Sequence, residues 1–187
     1  RRSSGCAGPR RVVVSTGADG RSIIESDGPA PNSHRFLSGM VQAELWQTGG
    51  ALGDVAQGGD VEPLKLQLDP VGMGIAWKYI ELPAAPPSDV DPDAVHAELR
   101  EVASGMGTTG HHDPSDPSIH RTDTIDLDLV LEGDLELELP GHGSVRLGPG
   151  DVVVQRGTWH AWRNRGDTPC KMLAIMIGAP IGGRKNP

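Results

Sequence analysis

Two histidines and one aspartate lie in runs whose residue types suit a reactive site. His120 precedes Asp126 by six residues, and His160 lies in a second run that begins at Gly150. Imidazole and carboxylate lone pairs aimed at one point bind zinc, iron, manganese or nickel, and such a set leaves positions open for substrate, oxygen or water. Without a metal, the same groups act as a general acid and a general base. The residue types therefore predict that His120, Asp126 and His160 hold a divalent transition metal or transfer protons directly.

Side chains next to these three are candidates for contact with a substrate. The tryptophans that flank His160 predict either an aromatic wall for an apolar substrate or ordinary core packing. Arg121 and Arg163 suit charges at strand edges, but an arginine can also hold a substrate carboxylate through two parallel hydrogen bonds. The candidate substrate contacts are Trp162, Trp159, Arg121, Asp128 and Thr122.

A loop rich in Gly, Thr, Asp and Pro, Gly107 to Ser118, carries His111 and His112 just before this region. Histidines in such a loop are commonly exposed to solvent, although either one is placed to supply a further ligand. Long Gly/Pro loops that precede a binding strand often act as gates. We therefore expect this loop, with the helix before it, to form a mobile lid.

Short apolar runs separated by turn residues predict a protein built mainly of β-strands. The chain has 26 glycines and 16 prolines, which are scattered between these runs and not concentrated in one tract. Asp91 is a good N-cap, and the apolar spacing after it predicts one short helix from Pro92 to Ser104. A Pro/Gly loop is expected over Ser26 to Asn32. The predicted strands are Val12–Val14, Ser22–Glu25, Val41–Trp46, Leu64–Leu68, Met73–Leu82, Ile125–Leu131, Leu135–Leu139, Ser144–Leu147, Asp151–Gln155, His160–Asn164 and Lys171–Ile177.

The strand Ile125–Leu131 allows two opposite orientations. Its odd positions are apolar, so simple alternation predicts that this face packs in the core and that Asp126 and Asp128 lie in water. The other orientation points both aspartates inward and leaves the apolar face for the N-terminal strands or a second subunit. Buried carboxylates would then need a cation, a bound substrate or a water-filled opening.

The run from His120 to Gly133 resembles the first motif of the cupins. In that motif, two histidines one residue apart precede a glutamate, and a glycine closes the following hairpin. His120 matches the first histidine, Thr122 stands where the second is usual, Asp126 replaces the glutamate, and Gly133 is the hairpin glycine.

The run from Gly150 to Asn164 resembles the second cupin motif, with its glycine, histidine and terminal asparagine at Gly157, His160 and Asn164. The resemblance covers roughly His120 to Ile177. It implies an all-β fold, a double-stranded β-helix or jelly-roll barrel with an N-terminal β extension and one short helix. The chain is similar to a single-barrel subgroup of bacterial and fungal cupins that carry such an extension and a His-Arg-Thr run.

Composition bounds the domain organisation and the partners. A length of 187 residues suits one domain, and a net charge of −8 leaves no basic surface for nucleic acid. The apolar stretches are too short to span a membrane, and two cysteines without a disulfide pattern favour a reducing, cytoplasmic location. We expect a disordered arm over residues 1–10 and a single cupin domain over 11–187, with an extension over 11–118 and the core motifs over 119–178.

Three functions fit these observations. The first is an enzyme of small-molecule metabolism, a lyase or isomerase that dehydrates or decarboxylates a carbonyl or carboxylate compound. The second is an iron-dependent dioxygenase, and the third is a binding or sensor module without turnover. A homodimer is expected, because strand exchange between N-terminal extensions would cover exposed sheet edges.

Overall fold

The computed structural model of the chain describes residues 8–50, 66, 69–84, 89–105 and 111–179. The predicted strand Leu64–Leu68 lies largely outside these residues. The elements in chain order are β1 (Arg10–Thr16), β2 (Ser22–Pro29), β3 (Asn32–Arg35), β4 (Val41–Gln47), β5 (Gly49–Gly50), β6 (Val71–Gly72), β7 (Ile75–Leu82), α1 (Pro92–Gly105), β8 (His111–His112), β9 (His120–Arg121), β10 (Thr124–Glu132), β11 (Leu135–Leu139), β12 (Gly143–Leu147), β13 (Val152–Arg156), β14 (Ala161–Asn164) and β15 (Cys170–Gly178).

Two antiparallel sheets form the body of the protein. The large sheet has the order β13-β10-β15-β7-β4-β3, and the small sheet has the order β12-β11-β14. A bridge between His120 and His160 joins β9 to the start of β14, so the chain passes from the small sheet to the large sheet between β9 and β10. The all-β fold predicted from the sequence, with one helix, is confirmed.

One hydrophobic cluster holds the two sheets together. Val130, Leu135, Cys170 and Met172 are each at most 3% exposed and come from β10, β11 and β15. Trp162 of β14 packs against them, together with Ile80 and Leu82 of β7 and Leu147 of β12. Because strands of both sheets contribute, this cluster defines which face of each strand points inward.

Strand β10 has the second of the two orientations considered above. Asp126 and Asp128 are 6% and 5% exposed, whereas Ile125 and Leu127 are 39% and 42% exposed. The simple alternation rule is therefore wrong for this strand, and the orientation implied by the cupin motif is correct. The physical reason is that the inner face of the large sheet carries other polar groups, so the apolar residues of β10 point outward.

Two local expectations need correction. The stretch Ser26–Asn32 was expected to be a loop, but β2 continues to Pro29 in register with β1, with a bulge between Val13 and Val14. His111 and His112 form β8, which pairs with β9. The helix lies where it was predicted, and the lid over α1 and residues 107–118 stays a prediction because residues 106–110 lie outside the described part.

Within the described residues, no helix has the length and apolar character that crossing a bilayer requires.

A buried ion pair crosses the middle of the large sheet. The Lys78 ammonium lies 2.7 Å from Glu44 Oε1, and the two side chains are 2% and 1% exposed. Gln42 and Gln47 donate to the two oxygens of the same carboxylate, at 2.8 and 3.0 Å. Four polar groups therefore share one network on neighbouring strands, and each charge depends on its partner.

We predict that Lys78→Met lowers the free energy of unfolding by about 3–5 kcal/mol, because it leaves the Glu44 carboxylate buried without its cation. Lys171→Met is the matched control, since Lys171 pairs with the exposed Glu132 and such pairs contribute about 1 kcal/mol or less. Urea titrations followed by circular dichroism measure both. Equal losses in the two variants would contradict the buried role of Lys78.

Candidate functional site

His120 and His160 lie side by side where β9 meets β14. The N–H of each residue donates to the carbonyl oxygen of the other, at 2.9 Å in both directions, and the ring centres are 4.5 Å apart. His160 is two residues before Trp162, whose ring packs on the core, so the His160 ring also points toward the interior. The sequence placed these histidines in separate motifs, and the structure brings them together.

Both imidazoles are held in the same tautomer by backbone carbonyls. His120 Nδ1–H donates to the carbonyl of Ser118 and His160 Nδ1–H donates to that of Thr158, each at 2.9 Å. A carbonyl only accepts hydrogen bonds, so each Nδ1 carries the proton and each Nε2 keeps its lone pair. Burial, with a smaller effect of the neighbouring His160, lowers the pKa of His120 to about 3. Burial also lowers the pKa of His160. The pair is therefore neutral, and both Nε2 lone pairs are unprotonated.

Arg163 fixes the loop that orients His120. Its guanidinium donates to Ser118 Oγ at 2.6 Å, to Asp116 Oδ2 at 2.7 Å and to Glu138 Oε2 at 2.8 Å. Arg163 holds the Ser118 side chain, and the Ser118 carbonyl accepts the Nδ1–H of His120. Arg163 therefore positions the His120 ring indirectly, through Ser118. Each guanidinium nitrogen of Arg163 thus donates to a group of the protein, which favours the structural role over binding of a substrate carboxylate.

The predicted acidic residues lie on the inner face of the large sheet. Asp126 pairs in register with Gln155 of β13, and Asp128 pairs with Ala174 of β15. Burial raises the pKa of Asp126 to about 6, partly opposed by the Thr124 hydroxyl that donates to it. Burial and the neighbouring Asp126 raise the pKa of Asp128 to about 8. Both carboxyl groups therefore hold protons far more readily than aspartates in water.

The other predicted contacts take different positions around the histidine pair. Trp162 meets the His160 ring edge to face at 5.8 Å and packs on the core. Arg121 is 7% exposed and stacks its guanidinium over the Trp159 ring, 5.6 Å from its centre. Thr122 is 2% exposed, and its hydroxyl shares a 2.6 Å hydrogen bond with that of Thr124. Thr122 is therefore buried at the position where the motif usually has a histidine.

The loop histidines extend the pair on one side. The His112 ring stacks on His120 with centres 5.6 Å apart, and its Nδ1 bonds the carbonyl of Pro117 at 2.8 Å. His111 is exposed and lies 6.5 Å from the Trp159 ring. His112 therefore stacks on one member of the pair, a position that the sequence did not decide.

The donor set fits a divalent metal only in part. Two imidazoles that share one ion at about 2.1 Å hold their ring centres roughly 4.5–5.5 Å apart, which His120 and His160 match through Nε2. In the described residues, however, no three His, Cys, Asp or Glu side chains gather closely enough to hold an ion. The predicted metal-ligand set of His120, Asp126 and His160 therefore stays a prediction.

Sequence reasoning missed three polar residues of the interior, Glu44, Lys78 and Gln155. The first two lie in the N-terminal half, outside the cupin motifs, and reach the interior only through the pairing of β4 and β7 with β15. A signal was present in β7, where Lys78 lies between Trp77 and Tyr79 in a strand of mostly apolar and aromatic residues. Gln155 ends the apolar run of β13 at the position opposite Asp126.

Comparison with known proteins finds a family model that matches part of the chain, the Cupin domain over residues 110–176. This match and the observed fold support a cupin domain in that part of the chain. Among solved structures, it is similar to the cupin domain of Schizosaccharomyces pombe Cnp3, with 11% identity, a TM-score of 0.44, and coverage of 90% of this chain and 87% of that one.

Curated relatives match a shorter region. Oryzines biosynthesis cluster protein J of Aspergillus oryzae is 48% identical over 70 residues, which are 37% of this chain and 39% of the relative. The cupin-domain-containing oxidoreductase srdB of Neurospora crassa is 42% identical over 62 residues, 32% of this chain and 31% of the relative. The chain thus spans less than half the length of either relative.

We predict that His120 stays neutral, with the proton on Nδ1, in the folded protein at pH 5. Its lowered pKa keeps the ring uncharged there, whereas an ordinary histidine with a pKa of about 6.5 is mostly charged. Nitrogen-15 NMR of the imidazole rings reads both protonation and tautomer, and His120→Ala assigns the signal. Titration near pH 6.5, or a proton on Nε2, would contradict the prediction.

Proposed function

We propose that the chain is a small-molecule enzyme of specialised metabolism, a lyase or isomerase that acts on a carbonyl or carboxylate compound. The observation that carries this proposal is the pair of buried, neutral imidazoles whose Nε2 lone pairs remain available beside a polar interior. The relative named for oryzines biosynthesis supports the metabolic setting.

The arrangement suits proton transfer next to a carbonyl group. His160 Nε2 takes or returns the proton on the adjacent carbon, and His120 assists from 4.5 Å away. Asp126 or Asp128 serves as the partner acid on the opposite sheet. Trp162 excludes water from His160 and strengthens the electrostatic effects in the cavity. A divalent metal held by His120 and His160 would polarise the carbonyl oxygen.

A redox function is the second candidate. The srdB relative is named an oxidoreductase, and an iron-dependent dioxygenase needs open coordination positions such as two imidazoles leave. Elemental analysis of protein purified without chelator or nickel resin separates the candidates. Stoichiometric iron together with oxygen consumption favours the dioxygenase. A binding or sensor module would show ligand binding without turnover.

We predict that His160→Ala lowers the rate of proton exchange at the substrate carbon by at least about 100-fold, because the base is removed. Proton NMR in deuterium oxide follows exchange across a panel of carbonyl and hydroxycarboxylate compounds. His142→Ala, a change at an exposed turn, is the control and should leave the rate unchanged. The function is refuted if His160→Ala exchanges as fast as the unaltered protein. Asp126→Asn should also lower the rate strongly.

We also propose that the protein is a homodimer that buries the outer face of the large sheet. This face exposes Val152 by 71%, Val154 by 60% and Leu127 by 42% on neighbouring strands. The hairpin β1–β2 likewise exposes Val14 and Ile24 by 68% and 65%, which suits an exchange of N-terminal strands between subunits. Apolar surface of this extent is uncommon in a monomer.

We predict that Leu127→Lys shifts the protein from dimer to monomer at micromolar concentration, since it places a charge in the buried face. Light scattering coupled to gel filtration measures the mass. Val145→Lys is the control, because Val145 is 47% exposed on the small sheet. A monomeric unaltered protein, or equal behaviour of the two variants, would refute the interface.

A further inference from the structure

Three buried polar atoms on neighbouring strands have no hydrogen-bond partner in the part of the chain that the structure describes. They are Asp126 Oδ1, Asp128 Oδ2 and Gln155 Nε2. The three residues are 6%, 5% and 4% exposed, so solvent cannot reach them freely. A buried polar group without a partner destabilises the folded state, and three on one patch need an explanation.

Two of these residues also bond neighbouring hydroxyl groups. The Thr158 hydroxyl donates to Gln155 Oε1 at 2.6 Å, which fixes which end of the amide points to the interior. The Thr124 hydroxyl donates to Asp126. The nearest buried cation, Lys78, is bonded to Glu44 at 2.7 Å. The orphaned atoms are therefore oriented by the protein but not satisfied by it.

Apolar side chains lie beside both aspartates on the inner face. Asp128 pairs in register with Ala174, and Asp126 pairs with Met176. Ala174 and Met176 pack with Ala76 in one cluster of buried side chains. The neighbouring apolar side chains therefore offer the aspartates no strong hydrogen-bond partner.

The unmet atoms define the chemistry of the missing group. At pH 7 to 8 it must donate to Asp126 Oδ1, since the pKa of that carboxyl is about 6, and accept from the Gln155 amide. Asp128, whose pKa is about 8, can either donate or accept. A ketone or ester carbonyl cannot donate to Asp126, and an ammonium group cannot accept from Gln155. An alcohol hydroxyl does both. A water molecule has the same capability, so the source of the hydroxyl has to be distinguished by experiment.

We propose that Asp126, Asp128 and Gln155 form a subsite that binds an alcohol hydroxyl group of the ligand. The inference rests on the proposed function for the cavity and narrows its substrate class to hydroxylated carbonyl or carboxylate compounds. Gln155 is then a specificity residue, because an analogue without the hydroxyl leaves its amide and the carboxyl oxygens unpaired.

The test compares two neutral probes of nearly the same shape, hydroxyacetone and butanone, in which a methyl group replaces the hydroxyl. Ligand-observed NMR titration measures the dissociation constants, and methylammonium tests a cationic occupant. We expect hydroxyacetone to bind at least tenfold more tightly than butanone, and Gln155→Met to remove this preference. Gln42→Met is the control, since the buried Gln42 amide donates to Glu44 at 2.8 Å, and it should keep the preference.

Each other outcome overturns the subsite. The subsite is refuted if the two probes bind equally or not at all, or if methylammonium binds more tightly. It is also refuted if Gln155→Met keeps the preference for hydroxyacetone. Retention of the preference for hydroxyacetone in Gln155→Met would assign the unpaired atoms to a structural water. Binding needs no turnover, so failure of the proposed function appears separately, as loss of His160-dependent proton exchange.

Discussion

The burial of charge on the inner face of the large sheet is the constraint on which the rest of the structure depends. Asp126 and Asp128 are nearly inaccessible, as are Lys78 and Glu44 on the same face. Carboxyl groups in this environment are tolerated only when they are paired with a cation, protonated or bound to a ligand. The Lys78–Glu44 pair meets this condition within the chain. The two aspartates meet it through raised pKa values and, in our proposal, through a bound hydroxyl group.

This constraint reverses the usual inside and outside of strand β10. Because the aspartates point inward, Ile125, Leu127 and Leu131 point outward and remain 39–42% exposed. The apolar core is therefore displaced toward one end of the sandwich, where Val130 begins the cluster around Met172 and Trp162. The other end carries the two aspartates beside the smaller cluster of Ala76, Ala174 and Met176. One alternation pattern thus produces both a partly polar inner face and an apolar outer surface that favours association.

Two glycines occupy turns at which the chain changes direction between strands. Gly133 has a φ of 80°, and a Cβ there would lie 2.8 Å from the Pro169 carbonyl, so the β10–β11 hairpin requires glycine. Gly157 has a φ of 59° and lies between Gln155 and His160. The turn at Gly157 lets Gln155 stay on the large sheet while His160 joins the small one. Two groups five residues apart in the chain therefore face the cavity from opposite sheets.

The sequence predicted the fold, the two histidines and the position of the helix, because these depend on local spacing and on two ordered motifs. It could not predict that Glu44 and Lys78 enter the interior, since that depends on which strands become neighbours of β15. Nor could alternation alone orient Asp126, because both faces of β10 look plausible until the partner strands are known. Each of these features depends on pairing between strands that are distant in the chain.

The division of the polar groups between two sheets also limits the chemistry. Packed sheets lie about 10 Å apart, so imidazoles on one and carboxyls on the other bracket a small molecule instead of meeting at one point. This separation explains why the described side chains form no group of three metal ligands although both kinds of ligand are present. It also gives the cavity two chemically different walls, neutral bases on one side and hydrogen-bonding acids on the other. A substrate held between them exposes one end to proton removal at His160 while its other end is recognised at Asp126 and Gln155.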